Sequence, residues 1–434
     1  MTEAVQNYET LKTDVASAAK AHNEPQWLVD HRVAAIDDLV DLGFPNMQRF
    51  QYSDWTLTPT DEPLEFKDSD KSLADSVPFA DDRIQFVQAG QTTVAVNLPD
   101  DLKQQGVILT DLFTALHDHA ELVEKYLFRE IKLGEDRLTS YHAAYLNSGL
   151  FLYVPKGVVI DKPIEAYLIQ DSTRKQPMVS HVLIVADNDS KFSYIQHMAT
   201  VGDVANAASA AVEMVAKPNS EVHFSSLDEL GENTTSYLKR RANIGDNATV
   251  DWAIGLMNDG KTVGDFDSEL IGKSSKADSK VIAVTSGEQR EGINNRVTNH
   301  GKRSTGFILQ RGVLLKKSEL VFNGIGDIIH GASGANAEQE NRVLMMSNEA
   351  HGDANPILLI DENDVLAGHA ASVGQVDQEQ MYYLMSRGIA RPTAQRMVIR
   401  GFLSAVIGAV PLPEVRQQMI DILERKLEDG QQLE

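Results

Sequence analysis

The octapeptide Gly255-Leu-Met-Asn-Asp-Gly260-Lys261-Thr262 matches the phosphate-cradling P-loop pattern at every specified position. Downstream, Pro356-Ile-Leu-Leu-Ile-Asp361-Glu362 reads as an apolar strand ending in an acidic pair of the kind that holds a metal ion and activates water. Together the two segments spell nucleotide hydrolysis. A P-loop, however, grips phosphate only when its last residues open a helix whose amides and dipole face the anion. Here Val263-Gly264-Asp265-Phe266-Asp267-Ser268 follows, with glycine in what would be the first turn and no helical apolar period. The motif is therefore expected to be a polar turn between two strands. A stand-alone P-loop nucleotide-binding protein stands as the alternative function.

Two further sets of residues have chemical potential. His117 and His119 are two apart on an expected helix and face different sides, while His300, His330, His351 and His369 are scattered, so none has metal-ligand spacing. Asp265, Asp267 and Glu269 alternate along a strand, as carboxylates do in sugar-cleaving β-helices, but in so acidic a chain they read as a solvated face. More demanding of explanation is Ala367-Gly-His369-Ala-Ala-Ser-Val-Gly374, followed by Asp377-Gln-Glu-Gln-Met-Tyr-Tyr-Leu-Met-Ser-Arg-Gly388-Ile. A histidine among such short side chains has room around its imidazole, for a metal or a partner. A buried histidine with its hydrogen bonds satisfied is the competing interpretation.

The elements that would position these residues follow from periodicity. Leu11, Val15, Ala18, Leu28, Val33, Ile36, Leu39 and Val40 mark helical stripes ending at Gly43 and Pro45, and Leu109 to Ile131 reads as helix again. Between them, Ser53 to Leu98 is polar and dotted with proline. Residues 1–140 are thus expected to form a helix-rich N-terminal region with an irregular middle. Short β-branched runs broken by Gly, Asn and Asp then take over. Their apolar leads Phe192, Val222, Val250, Val281, Leu320 and Ile357 recur at a loose interval of about thirty residues, the signature of a solenoid with two or three strands per coil. Asn323-Gly324 is the sole hairpin dipeptide of its kind in this stretch, which favours a parallel β-helix over a sandwich for residues 141–375. From residue 376 to 434 the helical pattern returns, with Pro392 and Pro413 near helix starts, giving a three-helix cap suited to covering the end of the core or docking a partner.

Composition narrows the function. Sixty-three acidic against forty basic residues give a net charge of −23, which repels nucleic acid and anionic membranes. No run approaches the ~20 apolar residues of a membrane span, and the polar, acidic start lacks the pattern of a signal peptide, so a cytoplasmic location is expected. The absence of cysteine removes disulfides, thiolate nucleophiles and any iron–sulfur cluster held by this chain's own thiolates.

Against that background the sequence resembles the SufB/SufD family, the paired scaffold subunits of the SUF iron–sulfur cluster assembly system. The family signature HGAxVGxxDxxxxFYLxSRGI is met by His369-Ala-Ala-Ser-Val-Gly374, Asp377, Tyr382-Tyr-Leu and Ser386-Arg-Gly-Ile389. Glu24-Pro-Gln-Trp27-Leu with Arg32, Ser53-Asp-Trp55, Gly149-Leu-Phe-Leu-Tyr-Val-Pro155-Lys-Gly157 and Glu340-Asn-Arg342 through Ser347 extend the likeness over nearly the whole chain. The resemblance implies a mainly β fold, a right-handed parallel β-helix with α-helical terminal domains. It implies a heterodimer with a SufB-type paralogue and a SufC-type ABC ATPase docked on the C-terminal helices, a contact assigned to Tyr383, Arg387, Gly388, Met397 and Phe402. It also implies a transient iron–sulfur cluster at the heterodimer interface, with His369 as a metal ligand shared with the partner and no cofactor bound by the chain alone. Lacking cysteine, the chain fits the SufD-type branch, a scaffold and not an enzyme. One departure is Ala367, where some members of that branch carry a thiol.

Overall fold

The structure, a computed structural model, describes residues 2–410 and 413–431. From Ser148 to Gln375 the chain alternates between two parallel sheets, each strand pairing with the strand two further along. Eight such strands in each sheet make a β-solenoid of about eight coils, with two strands per coil. The wall is therefore a parallel β-helix, and its lumen is filled by one continuous core including Leu150, Phe192, Phe224, Trp252, Leu270 and Phe322.

The corners explain why the sequence winds this way. Asp189, Asn219, Asn247, Ser274, Arg303 and Gly334 occupy the same corner of successive coils, all with positive φ between 55° and 77°. Asn and Asp tolerate this conformation best among residues with side chains, and glycine has no Cβ to oppose it. Each of these amides donates to a carbonyl of the next coil, Asp189 to Pro218, Asn219 to Asp246 and Asn247 to Lys273. A small buried residue follows each turn, as at Ser190, Ser220 and Ala248.

The expected repeat is real, but its phase slips. Phe192, Val222 and Val250 stack in one register column. Val250 then pairs with Ala277 and not with Val281, while Leu320 and Ile357 lie in the opposite sheet. Both corners of a coil end in a small polar residue before an apolar strand, so their signatures merge.

The N-terminal region departs from its expected form. Its helices Thr2–Ala21 and Gln26–Asp41 are present, but the middle carries a hairpin, Ile84–Ala89 with Thr92–Asn97, which extends the first sheet. The helix expected from Leu109 begins as the strand Ile108–Asp111, after which the Asp111 side chain caps Leu112–Asp118 by accepting from the amides of Phe113 and Thr114. Residues 44–57 run as a strap along the outside of the second sheet, seating Met47 and Phe50 on Gly292, where a Cβ would lie 2.3 Å from the Phe50 ring.

The C-terminal helices Gln378–Ser386, Arg391–Ile407 and Pro413–Gln431 are where periodicity puts helices, but they do not cap the core. Ile399, Leu403, Val406, Met419 and Leu423 pack instead against Leu227, Ala253, Ile282 and Val313 on the outer face of the first sheet. Among the described residues, none covers the end of the last coil.

Candidate functional site

The uncovered end is formed by His351–Ile360 and Leu366–Gln375, the outermost strands of their sheets. Among the described residues no further strand pairs with their outer edges, an arrangement proteins ordinarily avoid unless something pairs there. Leu359, Ile360, Leu366 and Val373 are exposed around it, Leu366 at 69%. Such a ring of apolar side chains on an open sheet end marks an interaction surface.

His369 sits at the centre of this end. In register it continues the column Phe224, Trp252, Ser279, Ile308, Gln339, whose members are all buried and face the lumen. Parallel in-register strands keep side chains on one face, so the imidazole points along that inner column, exposed because no coil follows. Gln339 beneath it is fixed by donating Nε2 to the Ile357 carbonyl at 2.8 Å and accepting from Asn341 at 3.1 Å. Beside the histidine lies a groove of about 640 Å³ lined by Glu338, Glu340, Asp278 and Lys280 among others. The inner face of this end thus offers one imidazole and no thiolate, while the Asp278, Glu338 and Glu340 carboxylates alternate onto the outer face of the same sheet. Ala367, two residues earlier, lies on the same face.

The C-terminal helices hold the second set of residues. Tyr383 is 56% exposed, with the Arg387 guanidinium 4.9 Å from its ring centre. Gly388, at φ 84°, turns the chain out of Gln378–Ser386, its amide donating to Met385. Met397 is exposed on the next helix, whereas Phe402 is half-buried beneath Arg311 at 5.5 Å. The first helix is seated by Met381, Val376 and Ala394 on Leu344 and Met346, at the end of the strand next to that of His369. The structure therefore places His369 and the helix residues on separate surfaces, joined by a short link.

Two family profiles match. The profile described as SUF system FeS cluster assembly, SufBD core domain, covers residues 168–402, and the SufBD protein N-terminal region covers residues 2–166. The chain belongs to the SufB/SufD family. The chain is 41% identical over 424 residues to the iron–sulfur cluster assembly protein SufD of Bacillus subtilis, covering 95% of this chain and 96% of that one. It is 25% identical over 416 residues to an iron–sulfur cluster assembly SufBD family protein of Staphylococcus epidermidis, covering 92% and 89%. A SufBD family protein of Staphylococcus aureus aligns over the same shares at 24%. The matched core includes His369 and the helix residues Tyr383, Arg387, Gly388, Met397 and Phe402.

The remaining motifs are absorbed by the SufB/SufD scaffold. Lys261–Leu270 is a strand, so no helix follows the P-loop-like turn, and a Cβ at Gly260 would lie 2.0 Å from the Thr234 carbonyl. Thr262 is engaged by Asn258 at 3.1 Å and Ser236 at 3.0 Å inside the wall. Asp361 and Glu362 lie at a coil corner, Glu362 accepting from the Gly331 amide at 2.9 Å.

Asp265 and Asp267 overturn the solvated-face reading. They are held by Lys239, and Asp267 also accepts from Arg241 at 2.9 Å, beneath the N-terminal region. Burial alone would raise the Asp267 carboxyl, but Lys239 and Arg241 hold it far below the usual carboxylate range. Glu269 pairs with His300 at 2.7 Å. Among the described residues no cluster of three or more histidine or acidic side chains has the geometry to hold a metal ion.

Sequence spacing missed a buried chain of polar groups. Ser209 hydrogen-bonds His142 at 3.0 Å, His142 bonds His181 at 3.1 Å, and His181 bonds Glu213 at 3.0 Å. Glu213 also accepts from the amides of Phe128, Glu130 and Ile131. One proton per imidazole satisfies this series with both histidines neutral. It joins the N-terminal region to the β-helix wall and carries no mark in local sequence.

Proposed function

We propose that this chain is a non-catalytic, cytoplasmic scaffold subunit of SufD type. It pairs through its open β-helix end with a cysteine-bearing SufB-type paralogue, and a SufC-type ABC ATPase docks on its C-terminal helices. The observation that carries the reading is the uncovered last coil, with unpaired edges, exposed Leu366 and an inward-aligned His369. A parallel solenoid of similar cross-section is the partner best suited to continue both edges.

A nascent iron–sulfur cluster is the cargo of this assembly. Iron–sulfur clusters need soft donors, and this chain supplies an imidazole while thiolates must come from the paralogue. His369 contributes by ligating iron or by orienting sulfur at the junction. Tyr383, Arg387, Gly388 and Met397 form the exposed face offered to the ATPase, with Phe402 packed behind it.

The test is affinity purification of the tagged chain from its own cells, with mass spectrometry of what accompanies it. Recovery of an ABC-type ATPase and a cysteine-bearing paralogue is expected, and emergence of the chain alone in mild salt overturns the reading. In cells, His369→Ala is expected to abolish cluster maturation while the complex still assembles. Full maturation by that variant would reduce His369 to packing.

A further inference from the structure

The P-loop-like stretch runs into a strand and opens no helix, and its residues converge instead on the last helix. Gly255 leaves space for Met419, whose Cε would stand 2.4 Å from a Cβ at that position. Met257 joins the apolar core that carries Met419, Leu423 and Leu427. Where this stripe ends, Lys426, 3% exposed, turns its ammonium into the corner of the coil. It donates to the Asn258 carbonyl at 2.6 Å and to Asp259 at 2.7 Å, and Arg425 reaches Asp259 at 3.3 Å. Burial alone would raise the Asp259 carboxyl, but these two cations hold it below its ordinary value.

The receiving corner is itself rigid. The Asn258 carbonyl also accepts from Gln289 Nε2 at 2.8 Å, and the same amide serves Gly260 and Glu291. The Asn258 side chain accepts from the Leu230 amide at 2.8 Å. On its opposite side, the last helix holds the one before it. Arg396 reaches Glu428 at 3.0 Å and Glu424 at 3.6 Å, and Arg400 reaches Glu424 at 3.5 Å.

Apolar packing is non-directional and leaves a helix able to slide or roll on a sheet. A buried charge-assisted bond to a fixed carbonyl sets one register. We propose that Lys426 is the positioning residue of the ATPase-facing helices: it pins Pro413–Gln431 to the Asn258–Asp259 corner, and that helix in turn fixes Arg391–Ile407, the carrier of Met397 and Phe402. The inference rests on the docking role assigned above. It gives the Gly255–Gly260 stretch a purpose, as the seat of the last helix on the β-helix wall.

The test compares the full-length chain with Lys426→Met, which keeps much of the length and apolar stem but loses the charge. In the isolated chain, amide hydrogen exchange across 391–407 and 413–431 is expected to accelerate at least about tenfold, equivalent to about 1.4 kcal/mol of local opening. Exchange in Thr249–Leu256 stays unchanged. Affinity for the co-purified ABC-type ATPase is expected to fall by a similar factor. Asp259→Asn should weaken both readouts, and the double variant should lose less than the sum of the two single losses, because the Lys426–Asp259 contact is common to both while Arg425–Asp259 and Lys426–Asn258 are not. Additive losses would show independent, merely structural effects and overturn the proposal, as would unchanged exchange in Lys426→Met. Should the unaltered chain fail to bind the ATPase, the docking reading falls, and the exchange arm alone decides whether Lys426 anchors the helices.

Discussion

At its first coils the β-helix is closed by buried, charge-assisted contacts, whereas at its last coil two strands end in free edges ringed by exposed leucine, isoleucine and valine. Arg32, fully buried, makes two 2.7 Å bonds to Glu24 and donates to the carbonyls of Ala144 and Leu146. The Glu213 carboxylate gathers three amides and His181. Among the described residues no comparable network closes Leu366–Gln375, where nearly every residue is exposed. Stability is concentrated where the chain must close on itself, and contact capacity where it must meet something else. The C-terminal helices, packed on a flank, leave that end open.

The largest effect tests the sealed end. Arg32→Met strands Glu24 in the interior without its partner, and removal of one member of a buried pair costs about 3–5 kcal/mol. Urea denaturation is expected to show that loss in the transition reporting the N-terminal region. A midpoint within error of the unaltered protein would mean that the closure depends on apolar packing alone.

A smaller, pH-dependent effect separates the two halves. Burial, with help from neighbouring His181, pushes His142 well below its ordinary 6.5. The unfolded chain then binds the extra proton, so this stabilisation is complete above pH 6.5 and drains away as pH falls below it. Glu291, deeper in the C-terminal half, behaves oppositely. Burial raises its carboxyl from 4.5 to about 8, against the pull of Lys426. The folded state holds that proton, so its contribution is full below pH 4.5 and is lost as pH rises through 8. His142→Gln should flatten the acid side of the stability profile, and Glu291→Gln the alkaline side, each by a few kcal/mol at most. Identical profiles for both variants and the unaltered chain would sink this division.

How much of this was legible beforehand depended on the range of the interactions. The corner residues Asp189, Asn219 and Asn247 announce themselves because a positive φ is a local demand. Phase was lost where two corners of a coil share one vocabulary, so that Leu320 looked equivalent to Val250 while lying in the other sheet. Composition made Asp265 and Asp267 look solvated, since their partners Lys239 and Arg241 come from the preceding coil. His142 and His181 are neighbours only across the wall, 39 residues apart in sequence. The motif around His369 was visible, but its alignment with the inner column appears only once register is known.

The smallest effect on stability should accompany the largest effect on assembly. Leu366 and Ile360 are 69% and 46% exposed at the open end. Lysine at either position buries nothing new and removes little packing, so the unfolding free energy should change by no more than about 0.5 kcal/mol. If the free edges are completed by a second solenoid, the same ammonium must enter an apolar junction without a partner, which costs several kcal/mol. Leu366→Lys with Ile360→Lys is therefore expected to abolish co-purification of the cysteine-bearing paralogue while the ABC-type ATPase is still recovered. Should both proteins be lost, the open end and the helices would form one continuous interface, and should both be retained, pairing through the open end would be refuted.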